Sequence, residues 1–301
     1  MAIGMALVAG TVQAQTKLTI GTAGGGTAVA ALFAAKEEGF FAKRGIDLNI
    51  VMGNLDSSMP AALVAKSFDV AAVSATTFFQ ADDGGLDLVV ILGGTATSKR
   101  PNDEAVIARK DIAIAKPEDY IGRKVGVPGI GAALHVLFRY YLTEHKVDFR
   151  KVDFAESTMP RMRDLLAGKT LDAVVVVNPF IDQIIGSGVG YMALPLAGEI
   201  PSGKPVIMYA TTRDWAAQHA KEVTAFREAI IEGAKFVVSD TDKTRQDINV
   251  YAKLPPEIIK IAPLSDQSPH IDTADLEWWF NVMKRQDMLT RNMDVKTLLA
   301  P

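Results

Sequence analysis

Two α/β domains of similar topology, with a ligand cleft between them, are the fold this sequence predicts. Three observations carry that expectation. Short apolar runs alternate with helical patterning, which is the signature of strands joined through helices into parallel sheets. A strand, a glycine turn and a helix occur in succession twice, at Lys17–Phe33 and at Arg123–Leu142. Three segments repeat in the same order, the first within those units. Ile20–Ala28 lies over Val125–Ala133, Ser57-Ser58-Met59-Pro60 over Ser157-Thr158-Met159-Pro160, and Lys66–Ala71 over Lys169–Val174, at offsets of 105, 100 and 103 residues.

The chain has 301 residues, comfortable for two domains; 49% are hydrophobic and 22% charged, the composition of a protein with substantial cores. The net charge of −3, with no dominant Lys/Arg block, argues against a nucleic-acid partner. The absence of cysteine excludes disulfides, thiolate metal sites and thiol catalysis. Residues 1–16 read as the remnant of a signal peptide. Ile3–Val12 is a short apolar run, and Val12-Gln13-Ala14 resembles a cleavage site with the cut after Ala14, although no basic segment precedes it. The run is too short to span a bilayer. The expectation is an exported, periplasmic monomer.

Lys17–Ile20 reads as the first strand and Gly21–Thr27 as a glycine loop. Val29, Leu32 and Phe33 line a helix ending near Gly39. Ile46–Met52 is the second strand, Asn54–Pro60 a polar loop with Pro60 at a helix start, Asp69–Val73 the third strand and Leu86–Leu92 the fourth. Val125–Val127 opens the second pass. Pro128-Gly129-Ile130-Gly131 supplies turn chemistry, and Leu134, Leu137, Phe138, Tyr141 and Leu142 recur at helical spacing. The chain is expected to cross between domains near Glu104–Asp111 and to return through Pro195–Pro205 into a strand at Val206–Ala210. Long helices with apolar faces at Val223–Val237 and Thr273–Met283 are assigned to the first domain. The expected division is 17–105 with 209–301 as domain one, and 106–208 as domain two.

In such sheets ligands sit beyond the carboxyl ends of strands, and domain interfaces favour pockets. The residues gathering there are small and polar: Thr22, Gly24, Gly25, Gly26, Thr27, Asn54, Ser57, Ser74, Thr76, Thr77, Thr95, Gly129, Ile130, Gly131, Ala132, His135, Ser157 and Asn178, with Phe180 and Tyr209 among the aromatics. Turn N–H groups at a helix start carry partial positive charge and suit an anion. With no Lys or Arg in either turn, only Arg100, Arg109 or Arg161 could add a cation.

Chemistry is poorly represented. A dinucleotide fingerprint fails because Val29 stands where Gly or Ala is needed and Asp47 begins its strand instead of ending it. There is no Walker A, G-x-S-x-G or H-E-x-x-H pattern. Of the four histidines, His145, His219 and His270 read as surface residues; only His135 could face the cleft. Asp69 and Asp172 hold equivalent positions before strands and are expected to order turns. No cofactor, metal site or catalytic residue is expected.

Ala35–Ile46 (AKEEGFFAKRGI), Pro117–Val127 (PEDYIGRKVGV), and Leu165–Ala173 (LLAGKTLDA) followed by Asn178-Pro179-Phe180 resemble signature segments of the substrate-binding proteins of the nitrate/sulfonate/taurine and thiamine-precursor ABC transporter group. The resemblance covers most of residues 17–210. It implies a bilobal type II periplasmic-binding-protein fold, closure of the lobes around a small-molecule ligand, and delivery to an ABC permease in the inner membrane. Two departures stand out. Lys66-Ser67 replaces a glycine-containing turn, and Asn178 replaces a common acidic residue, which favours a small organic anion, a sulfonate or carboxylate, aromatic acids included. The alternative is an enzyme of the same fold acting on a pyrimidine-type small molecule.

Overall fold

The structure is a computed structural model and describes residues 15–23, 26–53, 56–98, 100 and 103–301. The signal-like segment through Ala14, Gly24, Gly25 and Asn54 lie outside the described residues.

The chain begins with β1 (Thr16–Ala23), α1 (Ala30–Glu37), β2 (Ile46–Gly53), α2 (Met59–Val64), β3 (Val70–Ser74), α3 (Ala75–Asp83) and β4 (Leu88–Ala96). It continues with β5 (Glu104–Arg109), β6 (Lys124–Val127), α4 (Ala133–Glu144), β7 (Asp153–Glu156), α5 (Met159–Ala167), β8 (Ala173–Val177), α6 (Phe180–Gly186) and β9 (Gly190–Leu194). It closes with β10 (Pro205–Thr212), α7 (Arg213–Gln218), α8 (Ala220–Ser239), α9 (Thr241–Ala252), α10 (Pro256–Ile261) and α11 (Thr273–Lys284).

The strands form two five-stranded sheets, β2-β1-β3-β10-β4 and β7-β6-β8-β5-β9. The all-parallel expectation is corrected: β10 runs antiparallel between β3 and β4, and β5 runs antiparallel between β8 and β9. Each inserted strand follows a passage of the chain from one sheet to the other. The expected boundaries at 105/106 and 208/209 each cut a strand. Glu104 and Ala105 already pair with Val177 and Val176 of the second sheet, whereas Pro205 and Ile207 pair with Ala96 and Thr95 of the first.

The repeat has a physical basis. Asp69 accepts the Thr19 N–H at 2.7 Å, and Asp172 accepts the Lys124 N–H at 3.0 Å, so each carboxylate ties the start of its strand to the neighbouring first strand. A Cβ on Gly21 would collide with the Phe68 ring, and one on Gly126 with Leu171. Glycine at those two points lets a large side chain lie across the first strand.

The outer face of the first sheet packs Leu18, Ile20, Leu32 and Phe33 against Phe226 and Ile230 of α8. A second core runs without a break from Val73, Phe78 and Phe79 through Leu276 and Trp279 to Val125 and Phe138. Helix α11 therefore does not belong to the first lobe alone. Phe280 approaches Phe79 of α3 at 6.3 Å, Trp278 approaches Tyr140 of α4 at 5.4 Å, and the Trp279 indole N–H donates to Pro205 O at 2.5 Å. Among the described residues, no helix is long and apolar enough to cross a membrane.

Candidate functional site

A cavity of about 450 Å³ lies between the two sheets, within the usual range for a small-molecule site. The first lobe contributes Gly26, Thr27, Thr95 and Ile207, and the second contributes Glu104, Leu134, Asn178 and Phe180. A third wall comes from the segment carrying α9 and α10, through Ile248, Leu254, Ile258 and Ile261. That segment is stitched to the first lobe. The Gln267 side chain accepts the Ala31 N–H at 3.1 Å, Ser265 Oγ lies 3.2 Å from Thr27 Oγ1, and Ser268 N–H donates to Gly94 O at 2.7 Å.

Of the residues expected from sequence, Gly26, Thr27, Thr95, Asn178 and Phe180 line this cavity. Thr22 and Tyr209 are buried in the first sheet; the Tyr209 ring meets Phe226 edge-on at 5.2 Å, and burial drives its phenol pKa far up. Both are core residues because sheet strands bury one side chain in every two against α1 and α8. Ser74, Thr76 and Thr77 gather around a residue that sequence reasoning passed over. Asp56 accepts the Ser74 N–H at 3.0 Å and the Ser74 and Thr77 hydroxyls, and Ser74 Oγ lies 3.2 Å from Thr76 Oγ1. Ser57 is exposed in the adjoining turn. Thus the start of α3 carries the chain's own carboxylate.

The second glycine turn is likewise self-satisfied. Ile130 N–H donates to Glu156 at 3.0 Å, Gly131 N–H to His135 Nδ1 at 2.9 Å, and Ala132 N–H to Gly129 O at 3.1 Å. Ser157 turns its hydroxyl toward the Thr158 carbonyl at 3.4 Å. His135 is 3% exposed, packs edge-on to Phe154, and has its pKa pushed down to about 4 by burial, with a smaller contribution from Arg139. Its Nδ1 accepts, so its proton sits on Nε2. The ring caps a turn and does not face the cavity. The turn does look across the cleft: Gly131, at φ +81°, would place a Cβ 2.9 Å from the Gln80 amide of α3.

The cations anticipated near an anion are engaged elsewhere or distant. Arg109 pairs with Asp111 at 2.6 Å and Asp172 at 3.3 Å, and Arg161 is exposed and outside the lining. Arg100 holds Asp103 at 2.9 Å, Asp266 at 2.8 Å and the Leu264 carbonyl at 3.0 Å. Sequence reasoning missed Glu104, which lines the cavity at the first position of β5. Burial, reinforced by Asp103 and opposed by Arg100, pushes its carboxyl up to about 7. An acidic residue opening an otherwise apolar run, EAVIA, was the available signal. The Pro-bounded apolar run LPPEIIKIAPL was the signal for the third wall.

The comparisons agree with this geometry. A sequence profile described as NMT1/THI5 like matches residues 26–244. The taurine-binding periplasmic protein of Escherichia coli (strain K12) is 25% identical over 169 residues, which is 56% of this chain and 49% of that protein; the chain spans about half the length of the curated relative it matches. The periplasmic aliphatic sulphonate binding protein SsuA from Escherichia coli superposes with a TM-score of 0.76 at 17% identity, over 94% of this chain and 97% of that one. The periplasmic nitrate-binding protein NrtA from Synechocystis PCC 6803 gives 0.72 at 18% identity, over 94% and 84%. Two such sheets enclosing a cavity are thus the fold of these solute-binding proteins, and by the profile spanning most of both lobes this chain belongs to the NMT1/THI5-like family.

Proposed function

We propose that this protein is the solute-binding component of an ABC importer. It acts as a monomer outside the cytoplasm and passes a small organic solute to a membrane permease. The observation that carries the proposal is the cavity walled by both lobes, with Thr27, Thr95 and Ile207 facing Glu104, Asn178 and Phe180. A solute touching both walls binds the closed arrangement better than the open one, and that difference in affinity shifts the population toward closure. The enzymatic alternative expects a catalytic cluster of Cys or His; the chain has no Cys, and His135 is turned to the Gly131 N–H.

The small organic anion expected from sequence draws little support from the lining. In the second turn the Ile130 and Gly131 N–H groups already have acceptors in the chain, and beyond the first loop the Ala31 N–H is taken by Gln267. No Lys or Arg lines the cavity among the described residues.

Native mass spectrometry of the purified protein tests the proposal, combined with small-angle scattering before and after the captured solute is removed. A stoichiometric small molecule, and a smaller radius of gyration when it is bound, are expected. A folded protein that retains no solute and is stabilised by none would overturn it.

A further inference from the structure

The cavity's own chemistry indicates the kind of solute, given the solute-binding reading above. Much of the described lining is apolar, including Leu134, Phe180 and Ile207 from the lobes and Ile258 from α10. Four of the described lining residues are carboxylates, Asp103, Glu104, Asp182 and Asp266. Arg100 balances Asp103 and Asp266 from outside the lining.

Glu104 is different. It sits on a strand, opposite Val177 at the end of β8, so its backbone is fixed by the sheet. Its Oε2 is shut from solvent and accepts no hydrogen bond from any described residue. A buried carboxylate oxygen without a donor is costly, and such groups in folded proteins ordinarily find a partner. Glu104 itself lines the cavity, so a protonated nitrogen bound there meets a carboxylate of opposite charge. A sulfonate or carboxylate in the same place adds repulsion.

We infer that the solute is an organic cation, an apolar body carrying one protonated nitrogen, with the nitrogen donating to Glu104 and the body lying against Phe180, Ile207 and the α10 wall. A pH signature follows. The charged groups near Glu104 are Asp103 and Arg100 in the preceding segment and Asp266 in the loop after α10, and Asp182 of α6 shares the lining. With its carboxyl at about 7, Glu104 holds a proton below that pH, and the cation must displace it. Affinity for an amine of much higher pKa therefore rises with pH up to about 7 and then levels off, by about tenfold per unit on the rising limb.

The test is calorimetric titration of the purified protein at about pH 8 with three probes sharing one ring system, tryptamine, tryptophol and indole-3-acetate. Tryptamine should bind, tryptophol should be weaker by about tenfold or more, and indole-3-acetate weaker still. Glu104→Gln, which keeps the shape, should remove the preference for tryptamine and its pH dependence while the circular dichroism spectrum stays unchanged. Equal or tighter binding of indole-3-acetate or tryptophol overturns the inference, as does a Glu104→Gln variant with unchanged tryptamine affinity. If none of the three binds, the solute recovered with the protein decides. A molecule with no nitrogen protonated at neutral pH overturns the inference and leaves the solute-binding reading standing; no recoverable solute and no binding overturns both.

Discussion

The two lobes share one plan and differ in what meets the end of their first strands. In the plan, β1 corresponds to β6, β3 to β8, and the inserted β10 to β5. Asp69 and Asp172 make the same bond to the first strand, Gly21 and Gly126 admit the same kind of overlying side chain, and Lys66 and Lys169 both take the left-handed conformation at φ 58° and 57°. The differences lie beyond the framework. Near the first glycine loop, the Ala31 N–H is taken by Gln267, more than 200 residues later in the chain; the second turn is satisfied by Glu156 and His135 of its own lobe. The first lobe also wears α8 on its outer face. The lesson is that the repeated residues build the sheets, while Glu104 and the α9–α10 wall, which have no counterpart in the repeat, give the cavity much of its character.

Four measurements would break or sharpen that comparison, in decreasing order of effect. Trp279 is fully buried in the core shared by the lobes. Trp279→Ala should lower unfolding free energy by about 3–5 kcal/mol in urea denaturation; if the lobes were independent, it would split one transition into two. Asp172 also pairs with Arg109, which Asp69 does not. Asp172→Ala should therefore cost about 2 kcal/mol against about 1 kcal/mol for Asp69→Ala, and equal losses would show that the arginine adds nothing.

The third measurement is pH-dependent stability. His135 is held at about 4, below its usual 6.5, so the unfolded chain binds more protons between those values and stability is lost as pH falls through that window. Glu104 runs the other way. Its carboxyl is raised from 4.5 to about 7, so the folded state binds more protons and stability falls as pH rises through that window. Glu104→Gln should steepen the rise in melting temperature between about pH 4.5 and 6.5, and His135→Gln should flatten it. The smallest effect concerns the left-handed lysines. Lys66→Gly and Lys169→Gly should each stabilise by about 0.5–1 kcal/mol in the same urea assay, since glycine carries no Cβ penalty there.

The framework was legible in the sequence because it rests on local patterns. Alternation marked the strands, Met-Pro at 59–60 and 159–160 marked helix starts, and the repeated Lys-x-x-Asp marked both aspartates, though as turn residues and not as the ties between strands they make. What was not legible depends on distant partners. Residue type makes Gly129–Ala132 a good turn, but whether its N–H groups are free depends on Glu156 and His135. Periodicity shows that Thr273–Met283 has an apolar face, but not that this face and its flanks meet both α3 and α4. Glu104 escaped notice because an acid opening a strand looks like any solvent-facing residue until the other lobe covers it.

The α10 wall has a calorimetric consequence. Ile258 and Ile261 are 37% and 74% exposed, and Leu254 is 39% exposed, so an apolar shelf at the cavity stands in contact with water. A solute that lies along it strips that hydration. Apolar surface leaving water lowers the heat capacity of the complex. The binding enthalpy should therefore grow more exothermic with each degree of warming, and Ile258→Ser with Ile261→Ser should flatten that slope.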